Sequence, residues 1–326
     1  MAQASLSSPR ILFENQVNVL LAGLPAARDA DIEGVHSARV ATRRLRETLP
    51  LFLRAHPRDV DRITQLVKRA GRRLGRVRDL DVMEEDLARR AKRLPSALHA
   101  IGVARVVLNR QRTKARRRLV RALDRLALDG AEALRLSRVR HAWSVFGRDA
   151  GGWDRVLRHR IGHRAGEPRA AIDHASAVYS PNSLHRVRIA AKKLRYSVEL
   201  AQQSGLSSDL HVLGDLKRGQ ESLGRLHDAQ VLLETTDALV TESGVDAGQV
   251  RLLKEDLEGE IAERHMEYLA RRERLREVCS VCECFAALPA ARQFFARPLL
   301  AAGVAAALPA GLLLLGARGH RRLVPN

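Results

Sequence analysis

One pattern limits this chain more than any other: a cationic stretch that occurs twice at a single offset. VHSARVATRRLRETLPLF, from Val35 to Phe52, read as a helix at 100° per residue, sets His36, Arg39, Arg43 and Arg46 within an arc of about 80°. Ala38, Thr42, Leu45, Leu49 and Phe52 fall on the neighbouring face. One face can bury while the other stays charged. In LHRVRIAAKKLRYSVELA, from Leu184 to Ala201, His185, Arg188, Lys192 and Arg195 take the four cationic places in the same order, 149 residues further on. LGRVRDLDVMEEDL from Leu74 and LGRLHDAQVLLETT from Leu223 repeat at that same offset, with Gly75 over Gly224 and Asp79 over Asp228. Two blocks sharing one offset indicate a duplicated unit.

These paired stretches, His-x-x-Arg-(x)3-Arg/Lys-Arg/Lys-Leu-Arg and Leu-Gly-x-x-Arg/His-Asp, resemble the CHAD domain, the conserved histidine α-helical domain, over roughly residues 12–297. The resemblance implies an all-α fold of two pseudo-symmetric four-helix bundles. It further implies that inorganic polyphosphate binds in a basic groove or pore between the halves.

The residues themselves support an all-α reading. Leu, Ala and Arg are abundant, and β-branched runs are scarce. Pro9 opens a first helix that Gly23 and Pro25 close, and Asp29 and Asp31 offer oxygens to cap the helix of the first cationic stretch. A third helix spans about 58–93, a fourth about 96–128, and a long last one about 248–285. Ser180 and Pro181 read as a cap and a first-turn proline for the helix of His185. Gly75, costly inside a helix by about 1 kcal/mol relative to Ala, implies close approach of a neighbouring helix. The expected organisation is a disordered 1–10, a first bundle 11–150, a second bundle 151–297 and a hydrophobic tail 298–326, with the boundary near GRDAGGW.

The tail carries eighteen residues without charge, 299–316, between Arg297 and Arg318. That length and those basic flanks suit a C-terminal membrane anchor, with the domain side cytosolic by the positive-inside rule; Pro309 and the Ala content suit a helix packed on the bundle instead. MAQASLSSPR lacks a secretory pattern, and Cys279, Cys282 and Cys284 read as reduced thiols in a cytoplasmic protein. They are an incomplete set for structural zinc, since His265 is fourteen residues away from the first.

A formal net charge of +20 calls for a polyanionic partner, and an aromatic share of only 3% favours phosphate contact over base stacking. The two stripes run roughly 15 Å each, a ruler for a linear polyanion in which arginine forks grip oxygens and lysines supply compact charge. Acidic partners along them are few, because Glu47 and Glu199 lie off the line. The candidate polyphosphate-binding set is His36, Arg39, Arg43, Arg44, Arg46, His185, Arg188, Lys192, Lys193 and Arg195. Two flanking ridges join it: Lys68, Arg69, Arg72, Arg73 and Arg76 in the first half, and Lys217, Arg218 and Arg225 in the second. The second ridge is thinner, since Glu221 and Ser222 replace Arg72 and Arg73, so the groove should be asymmetric in charge. Arg116, Arg117 and Arg118, unmatched in the second half, read as a solvated face.

Each histidine sits one turn before an arginine, where a bound phosphate would raise its pKa and make it a pH-sensitive donor. Metal ligation is disfavoured by the surrounding cations. Asp79 and Asp228 are expected to orient an arginine or histidine rather than to catalyse. No Glu-x-Glu-x-Lys run, phosphate-binding glycine loop or nucleophile with a base is found; Glu258 and Glu260 are followed by Ala262. The function expected is non-catalytic, with no cofactor. The alternatives are a nonspecific nucleic-acid or polyanion binder and a metal-dependent phosphate-processing enzyme.

Overall fold

The computed structural model describes residues 9–29, 31–49, 57–126, 150–206, 211–240 and 244–287. Among them are eight α-helices, one short 3-10 helix and no strand. The helices are α1 (Pro9–Arg28), α2 (Ile32–Thr48), α3 (Pro57–Arg93), α4 (Leu98–Arg125), α5 (Ala150–His174), α6 (Pro181–Gln203), α7 (Leu213–Val240) and α8 (Ala247–Ala287). The 3-10 turn Pro95–Ala97 joins α3 to α4. The apolar run 299–316 lies outside the described residues, within which no helix is long and apolar enough to cross a membrane. Residues 1–8 lie outside them too.

Each helix packs on its chain neighbour within two groups. In the first, α1, α2, α3 and α4 follow one another and α4 returns to α1; in the second, α5 to α8 do the same and α8 returns to α5. Across the groups, α2 packs on α6 and α3 on α7, so the helices that carry corresponding stretches meet each other. The described residues all belong to one compact unit. Its largest apolar cluster crosses from one group to the other, joining Leu45, Leu74 and Leu119 to Leu157, Leu232 and Leu257. Two smaller clusters lie wholly in the second group, one around Ile161 and Leu194 and one around Leu184 and Tyr268. Cys279 and Cys282 belong to the former, where burial pushes their thiols up to about 12; all three cysteines are free.

Gly23 and Pro25 do not close α1, which runs on to Arg28. Leu24 and Ala27 are buried there, and that packing outweighs the backbone bond a helical proline forfeits. Asp31 caps α2, its Oδ2 accepting from the Gly34 amide at 2.6 Å. Ser180 holds the cap position of α6 but makes no side-chain cap; its hydroxyl donates to Ser183 Oγ at 3.2 Å. Gly75 also departs from expectation. No helix backbone crowds it: the nearest atom to a built Cβ is Arg39 Nε at 3.8 Å, an ordinary contact. A close helix approach occurs instead at Gly34, where a Cβ would lie 2.5 Å from Ala26 Cβ and 2.8 Å from the Ala26 carbonyl carbon.

Candidate functional site

The Asp31 cap and the buried row Val35, Ala38, Thr42 and Leu45 set the rotation of α2, which leaves Arg39 and Arg43 turned toward α6. On α6 the row Leu184, Val187, Ala191, Leu194 and Val198 does the same for Arg188, Lys192 and Arg195. The two cationic rows therefore face one another. With Lys217, Gln220 and Glu221 from α7 they enclose a cavity of about 410 Å³. Six of its eight lining residues are cations and one, Glu221, is acidic. The asymmetry expected in the second half is visible there, because Glu221 reaches the cavity while Ser222 is buried and donates to Glu267 at 3.0 Å.

Crowded like charges lower one another's affinity for protons, and burial adds to the effect. Burial first, then Arg43, draws Arg39 down to about 10, with Asp79 opposing. Arg188 is lowered by burial, which its neighbours Asp228 and Asp79 partly offset. Burial, then Arg43, Arg188 and Arg39, push Lys192 down to about 6.

Beyond Arg39 and Arg188 lies a more mixed zone. Arg39 Nη2 donates to Asp79 Oδ1 at 2.9 Å. Asp228, half-buried beside Arg188 and Asp79, is raised to about 6, desolvation being the main cause. The His185 and His227 rings lie 4.6 Å apart. Burial and then Arg188 lower both, His227 to about 4, so the pair is uncharged at neutral pH before any anion arrives. His36 is exposed on α2 and does not line the cavity.

The remaining candidates divide sharply. Arg44 lies 3.8 Å from Glu199, Lys193 is 2.8 Å from Glu167, and Arg218 is 2.5 Å from Asp215; none of the three lines the cavity. Arg43 and Arg44, like Lys192 and Lys193, are adjacent in sequence yet point to different places, since consecutive helical positions are 100° apart. Arg46 is exposed beside Arg43, Arg72 and Glu47. On α3, Arg69, Arg72 and Arg73 are exposed and Lys68 is half-buried, while Arg76 donates to Gln111 Oε1 at 2.8 Å. Acidic partners are less scarce than the stripes imply. Glu199 serves Arg44 and Arg195, and Glu47, buried, accepts from Arg160 at 2.8 Å and Arg164 at 3.1 Å.

A second cavity, about 810 Å³, lies between α3, α7 and α8. Arg225 and Asp228 line it, together with Arg78, Arg89, Arg90, Arg93 and Arg264. Most of its arginines are already committed: Arg78 to Glu85 at 3.1 Å, Arg89 to Asp86 at 2.7 Å, Arg93 to Asp256 at 2.6 Å and Arg264 to Glu267 at 2.5 Å. Arg90, 2% exposed, is held by Asp86, Asp256 and Glu260. This cavity is larger but its charge is largely spent.

Sequence reasoning misses Tyr196, whose hydroxyl accepts from Arg43 Nη1 at 3.4 Å across the α2–α6 contact. The 149-residue offset places it opposite Glu47, a position with no cationic signal. His227 is missed as a partner of His185 because it aligns with Arg78. Among the described residues no group of three or more histidines, cysteines and carboxylates could hold a metal ion.

A family model for the CHAD domain matches residues 11–237. The chain belongs to the CHAD domain family. The match ends on α7, short of the residue 297 expected from the sequence. Two solved structures resemble this chain in fold. The crystal structure of the CHAD domain from the plant Ricinus communis aligns with a TM-score of 0.58 and 22% identity, covering 89% of this chain and 96% of its own. PptA from Streptomyces chartreusis aligns with a TM-score of 0.57 and 17% identity, covering 80% and 96%. No curated protein matches the chain.

Proposed function

We propose that this CHAD domain binds inorganic polyphosphate, without catalysis, in the cavity between α2, α6 and α7. One observation carries the reading: Arg39, Arg43, Arg188, Lys192, Arg195 and Lys217 converge on one space from three helices, with Glu221 the single acidic lining residue. Such a cluster repels itself when empty, and a linear anion with a charge on every unit offsets that repulsion along its length. Guanidinium forks grip non-bridging oxygens, and no base-stacking surface lines the space.

The same reading takes the two helix groups as duplicated four-helix bundles, divided near residue 150. The packing of α2 on α6 and of α3 on α7 supports this, because helices that carry corresponding stretches meet. The cavity then lies where the two copies of the cationic stretch face each other. The arginines and lysines outside it, including Arg44, Lys193, Arg218 and the outer α3 ridge, contribute a surrounding field rather than contacts.

The test is calorimetric titration of the full chain with long-chain inorganic polyphosphate at near-physiological salt, followed by competition with nucleic acid. Tight binding that nucleic acid fails to displace is the expected result. Equal affinity for both would reduce the cavity to a nonspecific polyanion site, and release of phosphate during the titration would contradict the non-catalytic assignment.

A further inference from the structure

Position 192 is where the two cationic stretches differ in kind. Its counterpart 149 residues earlier is Arg43, and the two side chains line the same cavity. A guanidinium keeps its proton at any physiological pH, whereas a lysine amine releases its own readily when desolvated among cations.

The surroundings of Lys192 are cationic on most sides. Arg39 and Arg43 act on it from α2, Arg188 on its own helix, and Arg195 and Lys217 line the space with it. Three carboxylates are near. Asp79 on α3 is engaged by Arg39 at 2.9 Å, Glu221 on α7 lines the cavity and is exposed, and Asp228 is half-buried beside Arg188. Among the described residues none of them comes within ion-pair distance of the Lys192 amine, while the adjacent Lys193 turns to Glu167 at 2.8 Å. His185 and His227 complete the neighbourhood and are both shifted toward the neutral form. Lys192 is therefore a half-buried amine facing several guanidiniums with no counter-ion of its own. Of the six cations lining the cavity, it is the one with both the crowding and the chemistry to relieve the repulsion by losing a proton.

We propose that Lys192 is an uncharged amine while the cavity is empty, and that the cavity takes up a polyanion and one proton together, the proton going to that amine. This rests on the reading of the cavity as a polyanion site. The step is a single protonation: the amine lone pair forms an N–H bond with a proton from solvent, and no other bond changes. The bound anion supplies the counter-charge that the protein withholds, so the ammonium becomes stable only in the complex. Burial and the three guanidiniums hold the empty-state amine at about 6, against 10.5 for an ordinary lysine. The complex holds more protons than its separated parts, so affinity weakens as pH rises through this window, by up to about tenfold per pH unit.

The experiment is calorimetry of the full chain with long-chain inorganic polyphosphate at about pH 8, in buffers of differing ionisation enthalpy. In the empty cavity the depressed imidazoles and Asp228 titrate below that pH, and the interior phosphates of a long chain are fully ionised. About one proton should be taken up per cavity filled, and K192R should abolish that uptake and flatten the dependence of affinity on pH. K192Q, which fixes the uncharged form, should also show no uptake, and circular dichroism shows which variants fold. Polyphosphate binding with no proton uptake, or uptake unchanged in either folded variant, overturns the inference while leaving the binding site in place. Failure to bind polyphosphate at about pH 6 as well as at pH 8 overturns the underlying reading instead.

Discussion

The sharpest test of the site separates residues that lie side by side in sequence. Removing Arg43 and Arg188 takes two of six cations from the cavity lining, whereas removing Arg44 and Lys193 takes two cations already paired with Glu199 and Glu167. The four substitutions to glutamine, made as two pairs, change net charge equally. Each phosphate neutralised in a linear polyanion contributes about 0.7 to the slope of log affinity against log salt, by analogy with single-stranded nucleic acid. Six contacts then give a slope of about −4, and raising salt from about 50 to about 200 mM weakens binding roughly 300-fold. With Arg43 and Arg188 replaced, four contacts give a slope of about −3, and the same change in salt weakens binding roughly 50-fold. The Arg44 and Lys193 pair should leave the slope within about 0.3 of wild type. Fluorescence anisotropy with labelled polyphosphate across a salt series measures all three. If both pairs lower the slope alike, binding follows net charge and the cavity is not the site.

Other outcomes follow from the packing. Arg90→Met removes a side chain 2% exposed from between Asp86, Asp256 and Glu260, leaving their carboxylates crowded where α3 meets α8; urea unfolding should show a loss of about 3–5 kcal/mol, and a loss under about 1 would mean those groups relax apart. Gly34→Ala should cost about 2–3 kcal/mol, because the methyl meets α1 backbone as well as Ala26 Cβ, while Gly75→Ala should be neutral or stabilising by up to about 1 kcal/mol; thermal denaturation that ranks them the other way would refute the helix contacts described. Without polyphosphate, stability should rise between about pH 7 and about pH 8. Folded Lys192 binds its proton less tightly than the unfolded chain does, so folding releases a proton between about 6 and 10.5, and raising pH favours the folded state. His227 acts in the same direction only below 6.5, Asp228, whose pKa is raised, acts oppositely between 3.8 and about 6, and the buried Cys279 and Cys282 thiols act oppositely between 9.0 and about 12, so the window from about pH 7 to about pH 8 isolates Lys192. A melting temperature that rises from about pH 7 to about pH 8 in wild type, and does so less in K192R, is the expected observation; equal profiles would count against the depressed lysine.

Local features were largely legible in the sequence because they are written in neighbouring residues. The extent of α3, the Asp31 cap, the first-turn Pro181 and the two stripes all follow from periodicity and capping chemistry within a turn or two. The misreadings share one cause. Pro25 remains helical, and Gly34 is a tight approach where Gly75 is not, because those outcomes are set by what the next helix presents. Helix propensity has no view of a neighbour 10 Å away.

For the site the division runs along the same line. Sequence alone settled that two rows of cations exist, that they correspond, and that the protein carries more positive charge than it can pair, because composition and spacing are one-dimensional quantities. Only the tertiary structure decided which of those cations remain free. Packing α2 on α6 turned Arg43 and Lys192 into one cavity while Glu199 and Glu167, from elsewhere in the fold, engaged Arg44 and Lys193. The physical reason is that burial and counter-ions are properties of position in space. A charge known only by its place in the chain has no dielectric and no partner until the fold supplies both.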